Sequence, residues 1–188
     1  MLIGLVGEIG SGKTTIANYI MEKYGFKEYS FAAPLKEIGA IFGFSKEQLY
    51  GTQSQKLEIH PHWGVSARAF LQKVGTELFR GSLSDVLPEM KCEDTVWIEL
   101  FKIKYKNEPG NYVVSDVRFL DEALAIKKLG GVIITLRRTN LVSSESGIEH
   151  NHPSEQQIGK IKYDYFIDND RLSLEKAKMK IDSILELL

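Results

Sequence analysis

The stretch Gly7-Glu8-Ile9-Gly10-Ser11-Gly12-Lys13-Thr14-Thr15 constrains this chain more than any other. It fits G-x-x-x-x-G-K-[ST], the pattern of a phosphate-binding loop. Both flanks agree with that reading. Leu2-Ile3-Gly4-Leu5-Val6 is an apolar run of buried-strand length, and Thr14 to Tyr24 has helical spacing with Ile16, Ala17, Ile20 and Met21 on one face. Strand, glycine loop and helix together aim backbone N–H groups and a helix N-terminus at a polyphosphate. In such a loop Lys13 reaches the β and γ phosphates, and the Thr14 hydroxyl ligates magnesium. A chance glycine turn would not be expected to come with this strand and this helix.

The rest of the chain repeats the alternation. Lys27 to Phe31, Tyr112 to Asp116, Val132 to Leu136 and Tyr165 to Ile167 read as four further strands. Helices are expected over Pro34–Phe42, with Leu35, Ile38, Ile41 and Phe42 inward, and over Lys46–Tyr50 behind a Ser45 cap. Further helices are expected over Ser66–Arg80, from Asp94 or Thr95 to Tyr105, over Leu120–Leu129, near Ser154–Ile158, and from Ser173 to Leu188. Gly51 to Gly64 shows little periodicity and reads as a loop, and Gly81 to Lys91 as a connection. Strands alternating with helices predict an α/β fold, a five-stranded parallel sheet covered on both faces, with its ligand site at the C-terminal ends of the strands. Gly7, Asp116, Arg137 and Asn169 all fall at such ends, so they are expected around one crevice.

Length and charge narrow the class. A chain of 188 residues suits one domain with a sizeable core, with a short lid over about residues 139–155 and a substrate-binding region over about 32–80. The 24 basic and 25 acidic side chains give a net charge of −1, which does not suggest bulk binding to nucleic acid. A single cysteine, Cys92, permits no internal disulfide and suits a reducing cytosol. No apolar run approaches membrane-spanning length, and no targeting peptide is visible. His60-x-His62 and His150-x-His152 offer four imidazoles, but no cysteine pair or glutamate pattern supports a zinc site.

Charged and polar side chains then suggest a second phosphate pocket. Asp116 at a strand end can hold magnesium or its water shell, or can merely cap a helix. Arg118 and Glu122 share a face if both lie on a helix; they read either as a surface ion pair or as a crevice arginine holding a phosphate or base edge. Arg68, Gln72, Thr76 and Arg80 run at four-residue spacing as one polar stripe. Arg68 can pair with a monophosphate and Gln72 with a base, while Arg80 reads as solvated. Arg137 and Arg138 open a polar segment and read either as surface cations or as cations closing on a migrating phosphoryl group.

These residues in this order resemble the deoxynucleoside monophosphate kinases of tailed phages and related viruses, within the P-loop NMP-kinase class. The resemblance is carried by Gly10-Ser11-Gly12-Lys13-Thr14-Thr15, Ala33-Pro34-Leu35-Lys36, Ser66-Ala67-Arg68 with Gln72, and Gly75-Thr76-Glu77-Leu78. It continues in Trp97 with Phe101, Asp116-Val117-Arg118-Phe119 with Glu122-Ala123, Gly130-Gly131, the Arg137-Arg138 pair, His152-Pro153-Ser154-Glu155, and Ile167-Asp168-Asn169.

The resemblance implies a P-loop kinase sandwich of three layers using ATP and Mg2+ to phosphorylate a deoxynucleoside monophosphate. Gly10, Ser11, Gly12, Lys13, Thr14, Thr15 and Arg137 would hold ATP. Leu35, Lys36, Arg68, Gln72, Gly75, Thr76, Trp97, Asp116, Arg118 and Glu122 would contact the acceptor. Lys13, Arg118, Arg138 and Asp116 would act in catalysis, with Thr14 and Asp116 on the metal. Trp97 reads equally well as a core aromatic. A homodimer is compatible with the apolar stretch Phe42 to Tyr50, which could equally be core. The family implies a viral source and the host cytoplasm. The chain lacks part of the region that some relatives carry between the Pro34 helix and the Arg68 helix, so base preference transfers least. Dephospho-coenzyme A and phosphomevalonate kinases resemble the pattern in part, and a regulatory ATP-binding module is a further alternative.

Overall fold

A computed structural model of the chain describes residues 1–90, 92–138, 157–169 and 174–188. The expected lid over about 139–155 and the readings of His150, His152, Ser154 and Ser173 lie outside them. The chain divides into two compact units, Met1–Ser30 with Tyr105–Leu188, and Phe31–Lys104.

The first unit is built on a parallel sheet. Its strands are β1 (Leu2–Val6), β2 (Lys27–Tyr29), β3 (Tyr112–Val117), β4 (Val132–Arg137) and β5 (Tyr165–Asp168), in the spatial order β2-β3-β1-β4-β5. Every pairing among them is parallel. Every residue of β1 is buried, as a central strand with both faces covered requires.

Helix α1 (Lys13–Tyr24) and the last helix, α9 (Leu174–Glu186), cover one face. Ile16, Ala17, Ile20, Ala177, Ile181 and Ile184 pack there with Ile3, Leu5, Val113, Ile134, Leu136 and Ile167 of the strands. Helix α8 (Leu120–Lys128) covers the other face. Its Ile126 side chain lies so close to Gly4 that a Cβ there would stand 2.8 Å away, so Gly4 lets helix and sheet meet. A carboxylate ties α9 to α1: Asp182 accepts from Tyr19 Oη at 2.8 Å, Tyr24 Oη at 2.7 Å and Lys23 Nζ at 2.8 Å. Those donors hold the Asp182 carboxyl below its ordinary value, against a burial contribution that pushes it up.

The second unit is helical: α2 (Ala33–Ile41), α3 (Lys46–Tyr50), α4 (Gln53–Leu57), α5 (Ala67–Gln72), a π-helical stretch over Lys73–Ser82, α6 (Leu83–Val86) and the first part of α7 (Val96–Asn107). Phe44, Leu49 and Ala67 are buried together, with Phe70 and Leu71 packed on them.

Four expectations are corrected here. The supposed loop Gly51–Gly64 contains α4, whose Thr52 and Gln55 form a reciprocal cap. The supposed connection Gly81–Lys91 contains α6. The helix expected over Ser66–Arg80 changes to π geometry after Gln72, which rotates later residues off the apolar face and leaves Leu78 47% exposed. Ile41, expected inward, is 83% exposed, and Phe42 is exposed too, because α2 ends at Ile41 and the chain turns through Gly43.

Candidate active site

The loop between β1 and α1 is shaped for an anion. Gly12 is the N-cap residue of α1, at φ 98°, where a residue with a Cβ would be strained. A glycine cap supplies no side chain to occupy the first-turn N–H groups, and that turn holds no acidic residue. The helix therefore presents its positive end uncompensated. Lys13 Nζ donates to Gly7 O at 2.5 Å and Glu8 O at 2.7 Å, which places the ammonium across the mouth of the loop. Ser11 is buried, and its N–H donates to Glu8 O at 3.2 Å, which closes the turn.

The strand register brings the other expected residues of this unit to the same end of the sheet. Val6 pairs with Val117 on one side and Thr135 on the other, and Arg137 pairs with Asp168. Gly7, Asp116, Arg137 and Asn169 thus leave neighbouring strands at one edge, as the order of strands and helices implies. β3 runs one residue past Asp116, to Val117, and Arg137, expected just after its strand, is the last residue of β4. Opposite Leu5, β3 carries two residues, Ser115 and Asp116, where regular pairing would have one. Such a bulge re-aims a side chain. Asp116 Oδ2 accepts from Ser30 Oγ at 2.7 Å. Nothing in the sequence singles out Ser30; only the pairing of β2 with β3 brings it there.

Arg118 is not on a helix with Glu122. Helix α8 begins at Leu120, and Arg118 precedes it. Glu122 is 3% exposed, and its Oε2 accepts the backbone N–H of Arg118 at 2.9 Å and of Phe119 at 3.1 Å. The shared face expected of the pair is replaced by a carboxylate cap that fixes the backbone carrying Arg118. Nearby Tyr29 is buried. Burial first, then the negative charges of Asp116 and Glu122, push its phenol well above the ordinary tyrosine value.

Arg138 lines a cavity of about 220 Å3 with Gly12, Thr15, Ile16, Asn169 and Leu174, alongside the start of α1. Arg137 is the last residue of β4, and its carbonyl accepts from Asn169 N at 2.8 Å.

In the second unit the expected acceptor residues have partners of their own. Arg68 Nη1 donates to Gln53 Oε1 at 2.8 Å, a partner hidden from the sequence because its helix went unseen. Lys36 Nζ lies 4.4 Å from the centre of the Tyr50 ring. Gly75 is buried against Leu35, whose Cδ2 would lie 2.4 Å from any Cβ at that position. Trp97 is buried, stacks at a tilt on Phe79, and donates its indole N–H to Gly75 O at 3.0 Å. The change to π geometry after Gln72 breaks the straight stripe expected of Arg68, Gln72, Thr76 and Arg80. Among the described residues no group of three or more histidine, cysteine and carboxylate side chains could hold a metal ion, and no helix is long and apolar enough to cross a membrane. His60 instead packs on Phe44, with Nε2 3.2 Å from Gly43 O.

A protein of Acanthamoeba polyphaga mimivirus that carries the provisional name deoxynucleotide monophosphate kinase is 41% identical over 194 residues, spanning 99% of this chain and 96% of its own length. The chain belongs to the deoxynucleotide monophosphate kinase family. A second member, the deoxynucleoside-5′-monophosphate kinase of Escherichia phage T5, is 24% identical over 84% of this chain and 85% of its own. No protein-family model matches the chain. Among solved structures, TT1252 from Thermus thermophilus aligns over 100% of this chain and 97% of its own, with a TM-score of 0.55 and 18% identity. Shikimate kinase from Aquifex aeolicus aligns over 99% and 96%, with a TM-score of 0.52 and 18% identity. These likenesses show that the kinase has the α/β P-loop kinase fold, and the relatedness to the viral proteins makes it an enzyme of that class.

Proposed function

We propose that this kinase transfers the γ-phosphoryl group of ATP to a deoxynucleoside 5′-monophosphate, giving the diphosphate. One observation carries the proposal: a glycine-capped, acid-free helix N-terminus with Lys13 across its mouth, in a chain 41% identical over nearly its full length to a viral relative named for this activity. The T5 relative named for the same activity supports the choice of acceptor.

The residues present fit the groups the reaction needs. The N–H groups of Gly10, Ser11, Gly12, Lys13, Thr14 and Thr15 can surround a polyphosphate, with Arg137 and Arg138 as further cations. The Thr14 hydroxyl and the Asp116 carboxylate would hold magnesium, which neutralises phosphate charge when bound. Ser30 fixes one oxygen of Asp116 and so fixes its rotamer. Arg118, on a backbone clamped by Glu122, offers a planar fork to a phosphate. We assign Asp116, Arg118 and Glu122 to the acceptor nucleotide. The acceptor phosphate is already a nucleophile at neutral pH, so no strong base is needed. Positioning and charge neutralisation carry the rate. The two relatives are viral proteins, and we place the activity in the cytoplasm of an infected cell.

The test is ADP release with ATP and magnesium against the four deoxynucleoside monophosphates, with AMP, GMP, CMP and UMP alongside. Turnover on a subset of the deoxy forms supports the reading, and silence on all of them, with ATP still bound, overturns the acceptor. Lys13→Ala should lower turnover by about a hundredfold or more with an unchanged circular dichroism spectrum, as loss of a cation at the transferring group does. Near-normal turnover in that variant would overturn the mechanism.

A further inference from the structure

Asn169 joins the sheet to the phosphate-binding loop, and Asn169 itself is assigned no role above. Its backbone N–H donates to Arg137 O at 2.8 Å, just beyond the paired residues Arg137 and Asp168, so β4 fixes its position. Its side-chain Nδ2 donates to Ser11 O at 3.0 Å. A carbonyl oxygen can only accept, so the amide nitrogen must be the atom that faces it. The approach is tight: a Cβ on Gly12 would stand 2.6 Å from Asn169 Nδ2. A Cβ on Gly12 would push the Asn169 amide aside and strain its bond to Ser11 O.

The carbonyl of Ser11 and the N–H of Gly12 belong to one peptide plane. In a trans peptide they point in opposite directions. Holding the carbonyl toward Asn169 therefore holds the Gly12 N–H on the other side, away from the strut. An N–H fixed in direction before a ligand arrives costs nothing to orient when it binds. We infer that Asn169 is a positioning residue for the phosphate donor, a strut from the β4–β5 edge that presets the Ser11–Gly12 peptide for the polyphosphate. This inference rests on the reading of the loop as a polyphosphate site.

The experiment compares the full chain with Asn169→Ala and Asn169→Asp by titration calorimetry, using inorganic tripolyphosphate and ATP, each with magnesium. Asn169→Asp keeps the shape but turns an acceptor toward an acceptor. Wild-type protein that binds neither probe overturns the loop reading itself, which separates that failure from failure of the strut. With wild-type binding in hand, both variants should weaken tripolyphosphate and ATP by the same factor, roughly tenfold as the loss of one hydrogen bond implies. In turnover, the donor KM should rise by that factor while the acceptor KM stays fixed. Weaker ATP with unchanged tripolyphosphate would overturn the inference by making Asn169 a contact to the base. Unchanged binding of both, equal losses of donor and acceptor affinity, or failure of both variants to fold would overturn it as well.

Discussion

Glu122 is picked out by its spacing from Arg118, yet that spacing does not show which groups it holds. Its spacing from Arg118 suggested a surface ion pair or a ligand contact. The structure gives one carboxylate oxygen two backbone N–H donors at the start of α8. A buried acceptor serving two donors is costly to delete, because both are left unpaired. Glu122→Ala should therefore destabilise the protein by about 2–3 kcal/mol in urea unfolding. Glu122→Gln should recover most of that, since a single amide oxygen can accept both. Equal losses in the two variants would show that the charge, and not the oxygen, matters. The turn before α1 and the place of Asp116 near a strand end were legible because both have a sequence pattern. The contacts of Ser30, Gln53 and Asn169 were not, because each partner is remote in the chain.

Elements with an apolar stripe were legible, and those without one were not. Ser45 to Gln48 was read as a cap and first turn from its residue pattern, and Leu49 after it is buried. Thr52 with Gln55 makes the same kind of cap, yet α4 buries none of its residues and so leaves no periodic signal. The π stretch after Gln72 escaped for a different reason: its residues suit an α-helix, and only packing changes the winding. Wider winding disturbs the regular backbone ladder, and at Gly75 the carbonyl accepts the indole N–H of Trp97. Trp97→Phe keeps the ring packing and removes that donor. It should cost about 1–2 kcal/mol of stability. Hydrogen exchange should quicken chiefly in the Lys73–Ser82 stretch, and uniform quickening across the chain would count against a local anchor.

At the scale of the whole molecule, the sheet and its two helical faces followed from alternation of strands and helices, whereas the division into two units did not. Acid stability belongs to this scale. Asp182 has a depressed carboxyl in the folded state, so its contribution is fully present above the ordinary carboxylate range, about pH 4. The contribution is lost as pH falls below that range through the folded value, when protonation weakens the hold on Lys23, Tyr19 and Tyr24. Asp182→Asn should lower stability at pH 7 and flatten the acid limb of the stability profile. An acid limb as steep as that of the wild type would assign it to other carboxylates.

The strand order carries a consequence in time. The middle strand of the sheet, β1, precedes both of its neighbours in the chain, and those neighbours, β3 and β4, begin only at Tyr112 and Val132. On the ribosome β1 is made early and then waits, its apolar residues unpartnered, while more than a hundred residues are added. Pairing across so long a separation is slow to close. The helical stretch Phe31–Lys104 relies on contacts nearer in sequence and is complete before β3 emerges. In refolding followed by pulsed hydrogen exchange, amides of α2 to α5 should gain protection before those of Leu2–Val6. The strand that feeds the phosphate loop is then the part of the sheet that waits longest for a partner, and the part most exposed to aggregation during synthesis.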